Sequence, residues 1–438
     1  MTASEGSVND SSHYEEGISK TDFAHADSPA AGVSPVREIW RNGSRRGPMD
    51  ARGRRTVRPR TRLQRSPGHR HEGAVHDVIA PRRADVRIDT PKGSGFRMPA
   101  EWERHRAVWL AWPAAADLWQ DDLADAQREF TALCRAIASA ESGANPELLE
   151  VLVAGDEAER AATEALSGLA ARFHRIPYGD IWLRDTAPVF TTSESGEVAA
   201  VCFRFNGWGE KYLFPADLAL ARAVRQASGL HSFDVPMIFE GGAIEVDGQG
   251  TAITTSQCLL NANRNPTMTK ADVEAHVLDA LGVDKLLWLG DGLLNDHTDG
   301  HVDTLVRFAG PRRVLCMEAR DEGDPNRDVL AAVVDDLRTM RDASGHSLDV
   351  VTLPSPGIIE NADGEPMPAS YVNYYISNTA IVVPTYGSRY DGEAISVIAS
   401  CFPGRRTVGL PARAILTGGG AFHCITQQEP AAPGDAAR

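Results

Sequence analysis

The stretch TGGGAFHCITQQEP, near the C-terminus, places Cys424 shortly after a glycine run that ends at Gly420. Glycine permits close backbone approaches that other residues forbid, so the run is compatible with a thiol presented to a ligand. Such a thiol acts as a nucleophile when a neighbouring base or cation favours its thiolate form. The alternative is a buried structural thiol beside a turn, because free cysteine is among the most buried residue types.

The stretch DHTDGHVD carries the candidate acid and base. In a strand, residues two apart share a face, so His301 and Asp303 are predicted to point the same way. His297 and Asp299 continue this alternation, which makes a metal site the alternative interpretation. No further histidine or cysteine is marked as a companion ligand, and Gly300 interrupts any single helix that would use the spacing of the two histidines.

Two other stretches add carboxylates and an aromatic wall. In FEGG, Glu240 follows an apolar segment and precedes two glycines, which leaves room for a ligand beside its carboxylate. An exposed glutamate in a turn is the alternative. In YGDIWLRDTAPVF, Trp182 is a candidate wall of a site and Asp185 its anchor, unless Arg184 and Asp185 form a structural ion pair.

Together these residues make one chemical set: Cys424 as nucleophile, His301 as acid and base, and carboxylates at Asp185, Glu240 and Asp303. An ordinary cysteine protease needs one cysteine, one histidine and one orienting group. The additional carboxylates indicate a substrate with a delocalised positive charge. A guanidinium fits, because it is planar, stays charged and offers five donors in a fork that matches carboxylates.

The elements that must position this set follow an α/β pattern. Short apolar segments typical of buried strands, such as AVWLAWP and LLEVLVAG, alternate with helical segments such as DDLADAQREFTALCRAIASA. Five marked stretches lie 58, 61, 70 and 53 residues apart, counted at Trp182, Glu240, His301, Tyr371 and Cys424. This nearly even spacing suggests units repeated around a common centre.

Residues 1–94 differ from the rest. A Ser-, Ala-, Asp- and Glu-rich start gives way to a tract rich in Arg, Gly and Pro without apolar periodicity, which predicts a disordered extension. Residues 1–95 hold 17 Lys and Arg against 12 Asp and Glu, a net charge of +5; the whole chain carries -15, so the remainder carries -20. A nucleic-acid-binding arm is the alternative to a non-functional extension. The acidic remainder discourages nucleic-acid binding and favours cationic partners.

Composition argues against membrane and secreted classes of protein. The chain of 438 residues is 42% hydrophobic, and it contains no apolar run of about 18 residues, so no membrane association is expected. Its N-terminus lacks the pattern of a secretory signal, and its six cysteines include no C-x-x-C pair. We therefore expect a cytoplasmic protein with reduced thiols.

Seven motifs, in order, resemble the agmatine deiminase family, which also includes bacterial-type peptidyl-arginine deiminases. They are FRMPAEWERHRAVWLAWP, WLRDTAPVF, FNGWGEKY, FEGGAIEVDGQGTAITTSQCLLNANRNP, NDHTDGHVDTLVRF, ASYVNYYISN and GGGAFHCITQQEP. The resemblance covers about residues 96–430. It places a catalytic domain at residues 95–431, between the extension at residues 1–94 and a flexible tail at residues 432–438.

The resemblance implies a pentein fold, a five-bladed α/β propeller with its active site in the central channel. It also implies hydrolysis of a guanidine to a ureido group and ammonia without a metal or organic cofactor. By motif, Cys424 resembles the nucleophile and His301 the general acid and base. Asp185 and Asp303 resemble the carboxylates that bind the guanidinium, and Glu240 resembles the residue that supports the histidine. The residues predicted to bind substrate are Trp182, Asp185, His297, Asp303 and Gly420.

Two positions depart from the family pattern where the tail of the substrate is expected. His297 stands where family members commonly carry an acidic residue suited to a distal ammonium, and Ala421 stands where they commonly carry asparagine. Asp296 or Asp299 is a candidate for the missing charge.

Agmatine, a small cationic guanidine, is therefore the first substrate expected. Peptidyl-arginine or another alkylguanidine is the alternative within the class, followed by an amidinotransferase-like reaction in which an amine replaces water. The alternative from a different class is a nucleic-acid-binding protein that binds through the Arg-rich arm. The family is compatible with a homo-oligomer.

Overall fold

The computed structural model describes residues 90–139 and 145–432. The prediction of a disordered extension over residues 1–89 and of a flexible tail over residues 433–438 lies outside the described residues. Residues 90–94, which the sequence assigned to the extension, are folded, because Lys92–Ser94 forms a 3-10 helix. Thr90 Oγ1 donates to Asp279 Oδ1 (3.0 Å) and Lys92 Nζ to the carbonyl of Val283 (2.6 Å). The boundary at residue 95 was therefore placed too late.

Within the described residues, seventeen strands form five sheets. The strands are β1 (Phe96–Arg97), β2 (His105–Ala111), β3 (Leu148–Leu152), β4 (Ala171–His174), β5 (Val189–Ser193), β6 (Val198–Arg204), β7 (His231–Ile238), β8 (Glu245–Val246), β9 (Thr251–Thr255), β10 (Lys285–Leu289), β11 (Val306–Gly310), β12 (Arg313–Glu318), β13 (Asp349–Pro354), β14 (Tyr375–Ile376), β15 (Ala380–Thr385), β16 (Arg406–Pro411) and β17 (Gln427–Pro430).

Helices connect these strands. The longer α-helices are Leu123–Ile137, Asp156–Ala165, Leu220–Ser228, Lys270–Leu281, Arg327–Thr339 and Asp391–Cys401. Single helical turns span Ala116–Trp119, Leu183–Thr186, Gly207–Glu210, Ser256–Leu259 and Arg413–Leu416, and 3-10 turns span Lys92–Ser94, Gln120–Asp122, Asp217–Ala219, Gly241–Ala243 and Val302–Thr304. None of the helices in the described part of the chain is both long and apolar enough to cross a membrane.

Each sheet repeats the same unit. A short inner strand pairs antiparallel with a middle strand, and the middle strand pairs parallel with a third strand that follows a long helix. Parallel neighbours require such a crossover, which explains the alternation of apolar strands and helices in the sequence. The units are β5-β6-β7, β8-β9-β10, β11-β12-β13, β14-β15-β16 and β17-β2-β3, with β1 and β4 added at the edges of the first and last.

The ring closes because its last unit is built from both ends of the domain. The C-terminal strand β17 lies antiparallel to β2, with Gln427 opposite Trp109. Inner strands of different sheets touch, as β17 does with β5 and β8 with β11. Five such units in a closed arrangement confirm the predicted pentein architecture.

Local sequence signals set the helix limits and the buried faces. Thr269 and Asp272 form a reciprocal capping box at the start of Lys270–Leu281, and Gly282 ends that helix with a left-handed φ of 63°. In Leu123–Ile137, one apolar face is buried at Phe130, Leu133, Cys134 and Ile137, while Leu123 is only partly buried.

The five stretches marked by their spacing all lie just before the inner strand of a unit. Trp182 precedes β5, Glu240 precedes β8, His301 precedes β11, Tyr371 precedes β14 and Cys424 precedes β17. One step of about 60 residues is therefore one blade. Because equivalent positions of the blades face a common centre, these stretches meet although they are far apart in sequence.

Candidate active site

Cys424 lies between the helical turn Arg413–Leu416 and β17, and it is held chiefly by Asn373. Asn373 Nδ2 donates to Cys424 Sγ (3.1 Å), and the main-chain N–H of Cys424 donates to Asn373 Oδ1 (3.3 Å). Sγ also lies 3.6 Å from Asp303 Oδ2. Asn373 belongs to the stretch ASYVNYY, in which the sequence had marked Tyr371. Tyr371 instead donates to Asp391 (2.6 Å), so the fourth blade supplies an amide rather than a phenol.

The glycine run before Cys424 packs against Trp182. A Cβ added at Gly418 would lie 2.6 Å from the indole, and one added at Gly420 would lie 2.8 Å from it and 3.0 Å from Cys424 Sγ. Any side chain there would displace both the thiol and the aromatic wall. The structure therefore brings together three of the predicted residues, Trp182, Gly420 and Cys424, and explains why the run consists of glycines.

Asp185 is held by two donors from neighbouring stretches. Its Oδ1 accepts from the main-chain N–H of Gly242 (2.9 Å) and its Oδ2 from Trp208 Nε1 (2.9 Å). Trp208 has a positive φ of 53°, a conformation that is costly for a bulky residue and persists where surrounding structure enforces it. Burial, followed by the charge of Asp303, raises the pKa of Asp185 well above its usual range.

Asp303 lies beside His423, and its pKa is shifted in the opposite direction to that of Asp185. Its Oδ2 accepts from His423 Nδ1 (2.7 Å), whereas its Oδ1 is buried and has no hydrogen-bond partner among the described residues. Burial alone would raise its pKa, but the hydrogen bond and charge of His423 hold the pKa of Asp303 below its usual value. The site thus presents one bare oxygen on a carboxylate whose other oxygen lies 3.6 Å from the thiol.

His301 is buried, and within the described ranges neither ring nitrogen has a hydrogen-bond partner. Its Nδ1 lies 3.7 Å from Asp185 Oδ1. Burial lowers the pKa of His301 to about 3, although the charge of Asp303 opposes this. Burial, followed by the charges of Asp303 and Asp185, raises the pKa of the Cys424 thiol well above its usual value. Without substrate, the imidazole and the thiol are therefore both neutral at pH 7.

The expectation that His301 and Asp303 share a face of a strand was wrong. His301 precedes a 3-10 turn, Val302–Thr304, and β11 begins only at Val306. The two side chains still converge, because Gly242 of the neighbouring blade lies close to both. A Cβ added at Gly242 would lie 2.5 Å from His301 Nδ1, 2.9 Å from Asp185 Oδ1 and 3.1 Å from Asp303 Oδ2.

Glu240 makes no hydrogen bond to His301. Its Oε1 accepts from Arg264 Nε (2.8 Å), while its Oε2 is buried without a partner in the described part of the chain. Glu240, Cys258 and His301 each offer one ligand atom within 4.8 Å of one another, a carboxylate, thiol and imidazole combination that can bind zinc. The guanidinium of Arg264 at Glu240 opposes a divalent cation there, so we assign no metal to this group.

His297 lies beside the route to the site and carries no charge. Its Nδ1 lies 3.0 Å from the hydroxyl of Tyr212, and its carbonyl accepts from Lys211 Nζ (2.7 Å). Burial, followed by the charge of Lys211, lowers its pKa to about 4. The two candidates for the missing charge are already engaged. Asp296 accepts from Thr298 and from the main chain of His301; Asp299 pairs with Lys211 and Arg264.

A cleft of about 1450 Å³ adjoins this cluster and is strongly acidic. Its walls come from the segments just before Trp182, His301 and Cys424, from residues 118–132 and 211–212, and from the loop at residues 360–368. The catalytic side chains do not line the cleft itself; Cys424 is only 6% exposed. Among the described residues, nine acidic side chains line the cleft against three basic ones, Lys211, Arg128 and Arg413; the acidic set is Asp122, Asp125, Glu129, Asp180, Asp296, Asp299, Glu360, Asp363 and Glu365.

Sequence reasoning missed four residues of the site: Asn373, Trp208, His423 and Glu101. Asn373 had a visible signal, since it is the one amide in the aromatic run YVNYY of a marked stretch. Trp208 and Glu101 lie in quoted motifs, but no spacing linked them to the other residues. His423 lies next to Cys424, but only the cysteine was assigned a role.

Comparison with known proteins finds consistent similarity over the folded domain. A family model described as Porphyromonas-type peptidyl-arginine deiminase matches residues 97–430. The agmatine deiminases of Stutzerimonas stutzeri (strain A1501) and Pseudomonas aeruginosa (strain UCBPP-PA14) are each 38% identical over 365 residues, which cover 78% of this chain and 97% of each relative.

A solved structure described as agmatine deiminase of Enterococcus faecalis catalysing its reaction superposes with a TM-score of 0.73. It is 32% identical in sequence, and the match covers 78% of this chain and 97% of that one. The similarity therefore spans the segment that contains all seven motifs and all five blades.

Proposed function

The chain belongs to the Porphyromonas-type peptidyl-arginine deiminase family, and from this membership we propose that it hydrolyses the guanidine of agmatine to N-carbamoylputrescine and ammonia. It is a hydrolase of carbon–nitrogen bonds in linear amidines, and its product belongs to putrescine biosynthesis. The observation that carries the proposal is the convergence of the Cys424 thiol, the His301 imidazole and the carboxylates of Asp185 and Asp303.

Binding of the guanidinium follows from the carboxylates. The bare Oδ1 of Asp303 accepts one edge of the planar cation, and Asp185 accepts the other with the remaining lone pairs of its two oxygens. Trp208 and Gly242 fix the orientation of Asp185, so the plane of the substrate is set before reaction. A bound cation also neutralises the two charges that raise the pKa of Cys424, which makes the thiolate accessible.

In the first half of the reaction, the proton of Cys424 passes to His301 and the thiolate attacks the guanidinium carbon. A carbon–sulfur bond forms, and the guanidinium becomes a neutral tetrahedral adduct. His301 then gives its proton to one amino nitrogen, which leaves as ammonia as the carbon–nitrogen bond breaks. A covalent S-alkylthiouronium cation remains on Cys424.

In the second half, His301 takes a proton from a water molecule as the water oxygen attacks the same carbon. The carbon–sulfur bond breaks, the ureido product leaves and the sulfur recovers its electron pair. The hydroxyl proton of the collapsing adduct ends on the ammonia, which becomes ammonium. The proton on His301 returns to Cys424. We assign Glu240, held by Arg264 beside the imidazole, to the support of His301.

The charge of the cleft supports agmatine over free arginine. Agmatine carries a distal ammonium, which nine acidic side chains against three basic ones attract, whereas the α-carboxylate of arginine would be repelled. His297 supplies no charge, so we assign recognition of the distal ammonium to the summed field of the acidic walls rather than to that side chain. Trp182 and Gly420 shape the site beside the thiol.

The test is ammonia release from agmatine, free arginine and an arginyl peptide in parallel, with the Cys424→Ala protein as control. We expect release from agmatine that is lost in the variant while its thermal unfolding remains cooperative. Release from the arginyl peptide and not from agmatine would replace agmatine with peptidyl-arginine as substrate. Full release by Cys424→Ala would contradict the thiol mechanism itself. The cytoplasmic location, the homo-oligomer and the absence of nucleic-acid binding stay predictions.

A further inference from the structure

His423, the residue before the nucleophile, lies between two carboxylates. Its Nδ1 lies 2.7 Å from Asp303 Oδ2 and its Nε2 lies 2.9 Å from Glu101 Oε2. All three side chains are buried. Because Asp303 and Glu101 come from different blades, the imidazole joins the centre of the site to a second buried cluster.

That second cluster consists of alternating charges. Glu101 Oε2 pairs with Arg307 Nη2 (2.7 Å) and lies 3.6 Å from Arg184 Nη2, while its Oε1 accepts from the main-chain N–H of Ile376 (2.7 Å). Arg307 also pairs with Glu245 through its Nε (2.9 Å). Three acids, Asp303, Glu101 and Glu245, therefore face two arginines, and a cation at His423 makes the buried set neutral.

The hydrogen-bond geometry determines where the proton lies. A neutral imidazole has one donor and one acceptor, whereas an ionised carboxylate only accepts. Two carboxylates can therefore be bridged by one imidazole only if both ring nitrogens donate, or if one carboxyl is protonated. Glu101 is held ionised without any contribution from His423, because Arg307 pairs with its Oε2 at 2.7 Å and the N–H of Ile376 donates to its Oε1. Between Asp303 and His423, 2.7 Å apart, the imidazole is the more basic group. The proton therefore lies on the histidine.

We propose that His423 is a positioning residue for the deimination: a buried imidazolium that clamps Asp303 by its Oδ2, keeps it ionised and leaves its Oδ1 free for the substrate guanidinium. This proposal rests on the proposed function and adds a device to it. Removal of the cation leaves Asp303 facing an uncompensated Glu101, so Asp303 takes up a proton at higher pH and binds the guanidinium less tightly.

The alternative is a purely structural role. The carbonyl of His423 accepts from Arg184 Nε (3.3 Å), and its N–H donates to the carbonyl of Asn373 (3.1 Å), so the residue also shapes the loop before Cys424. These main-chain contacts survive replacement of the side chain. A structural role alone would lower stability and kcat without changing the protonation of Asp303.

The first test is His423→Gln, whose amide keeps one donor but carries no charge. His105→Gln is the matched control, since His105 is also buried beside a carboxylate, Glu147, away from the site. For His423→Gln we expect KM for agmatine to rise about ten- to a hundredfold, the range for loss of a charge-assisted hydrogen bond, with a smaller fall in kcat. The acidic limb, the fall of kcat/KM at low pH, reports the coupled titration of Asp185 and Asp303. In this variant we expect that limb to move to higher pH.

Several outcomes would overturn the clamp. An unchanged acidic limb, or changes in KM and kcat that match those of His105→Gln, would leave His423 a structural residue. If His423→Gln does not fold, Glu101→Gln replaces it: this variant removes one of the two carboxylates and keeps the imidazole. The new amide can donate to His423 Nε2, so a neutral imidazole then satisfies both neighbours. KM should rise and the acidic limb should move to higher pH, by less than in His423→Gln, and an unchanged acidic limb would contradict the clamp.

A second measurement separates this proposal from the proposed function. In Cys424→Ala protein labelled with 15N-histidine, the resonances of His423 at pH 7 should be those of an imidazolium, assigned by their absence after His423→Gln or by their displacement after Glu101→Gln. Neutral-imidazole resonances at this pH would refute the clamp even if agmatine is hydrolysed. Imidazolium resonances would support it even if no guanidine tested is a substrate.

Discussion

The Gly242→Ala substitution tests whether the site converges where the structure places it. Gly242 lies in the 3-10 turn Gly241–Ala243, and its φ is not in the left-handed region, so alanine meets no backbone strain there. The added Cβ would lie 2.5 Å from His301 Nδ1, 2.9 Å from Asp185 Oδ1 and 3.1 Å from Asp303 Oδ2. The one methyl group therefore presses on three proposed catalytic groups at once.

The magnitude follows from these distances. Ordinary contact for a Cβ begins at 3.4 Å, so the imidazole must retreat by about 1 Å, and misplacement by this amount costs on the order of a hundredfold in rate. Overpacking of a buried position costs about 1–3 kcal/mol of unfolding free energy. We therefore expect a large loss of kcat/KM in a protein that still folds.

The assay is ammonia release from agmatine beside thermal unfolding followed by circular dichroism. Gly290→Ala is the matched control, because nothing lies within 4 Å of the Cβ it adds. We expect wild-type activity from the control and a loss of about a hundredfold from Gly242→Ala, with a cooperative transition in both. A Gly242→Ala protein within threefold of wild type would refute the convergence of the three side chains around this point.

Three further predictions concern kcat after a change beside Cys424, the fall of kcat/KM at low pH, and the pH dependence of stability. Asn373→Asp keeps the shape of the amide beside Cys424 Sγ but places a carboxylate against the thiolate, so kcat should fall more than in Asn373→Ala; equal losses would contradict this. Burial and a neighbouring carboxylate raise the pKa of Asp185, so the fall of kcat/KM at low pH should occur at a pH above the ordinary pKa range of carboxyl groups. A fall of kcat/KM that occurs only below about pH 4 would contradict this prediction. Burial raises the pKa of Asp217 to about 7, so between about pH 4 and 7 the folded state holds a proton that the unfolded state has lost, and stability falls as pH rises through this window. Asp217→Asn should remove that loss in thermal scans at pH 5 and pH 8, and an unchanged pH dependence would count against the assignment.

Residue types alone were enough to select several side chains of the site. Cys424, Asp303, Asp185 and His301 were chosen for their chemistry, and the structure brings these four together with Glu240 beside them. The argument that placed His301 and Asp303 on one strand was wrong. Period-two alternation describes only regular strands, and this segment turns through a 3-10 helix before β11 begins.

The roles of charged neighbours were beyond the sequence. Glu240 pairs with Arg264, Asp303 with His423, and Glu101 with Arg307, and each pair joins segments that are separate in the chain. Nothing in the spacing distinguishes these partners from surface charges. Burial decides their protonation, because desolvation and a neighbouring charge act over a few ångströms of space rather than over sequence distance.

The sequence by itself determined the class of chemistry, the α/β alternation and the approximate size of the repeated unit. These properties are local: a thiol, an imidazole and carboxylates keep their reactivity, and apolar periodicity keeps its meaning, wherever the chain goes. Tertiary structure alone decided that five stretches about 60 residues apart meet at one centre, that Asn373 rather than Tyr371 faces Cys424, and that the charge on Asp303 depends on His423. The physical reason is closure of the ring by β17 on β2, which brings into contact side chains that no local signal links.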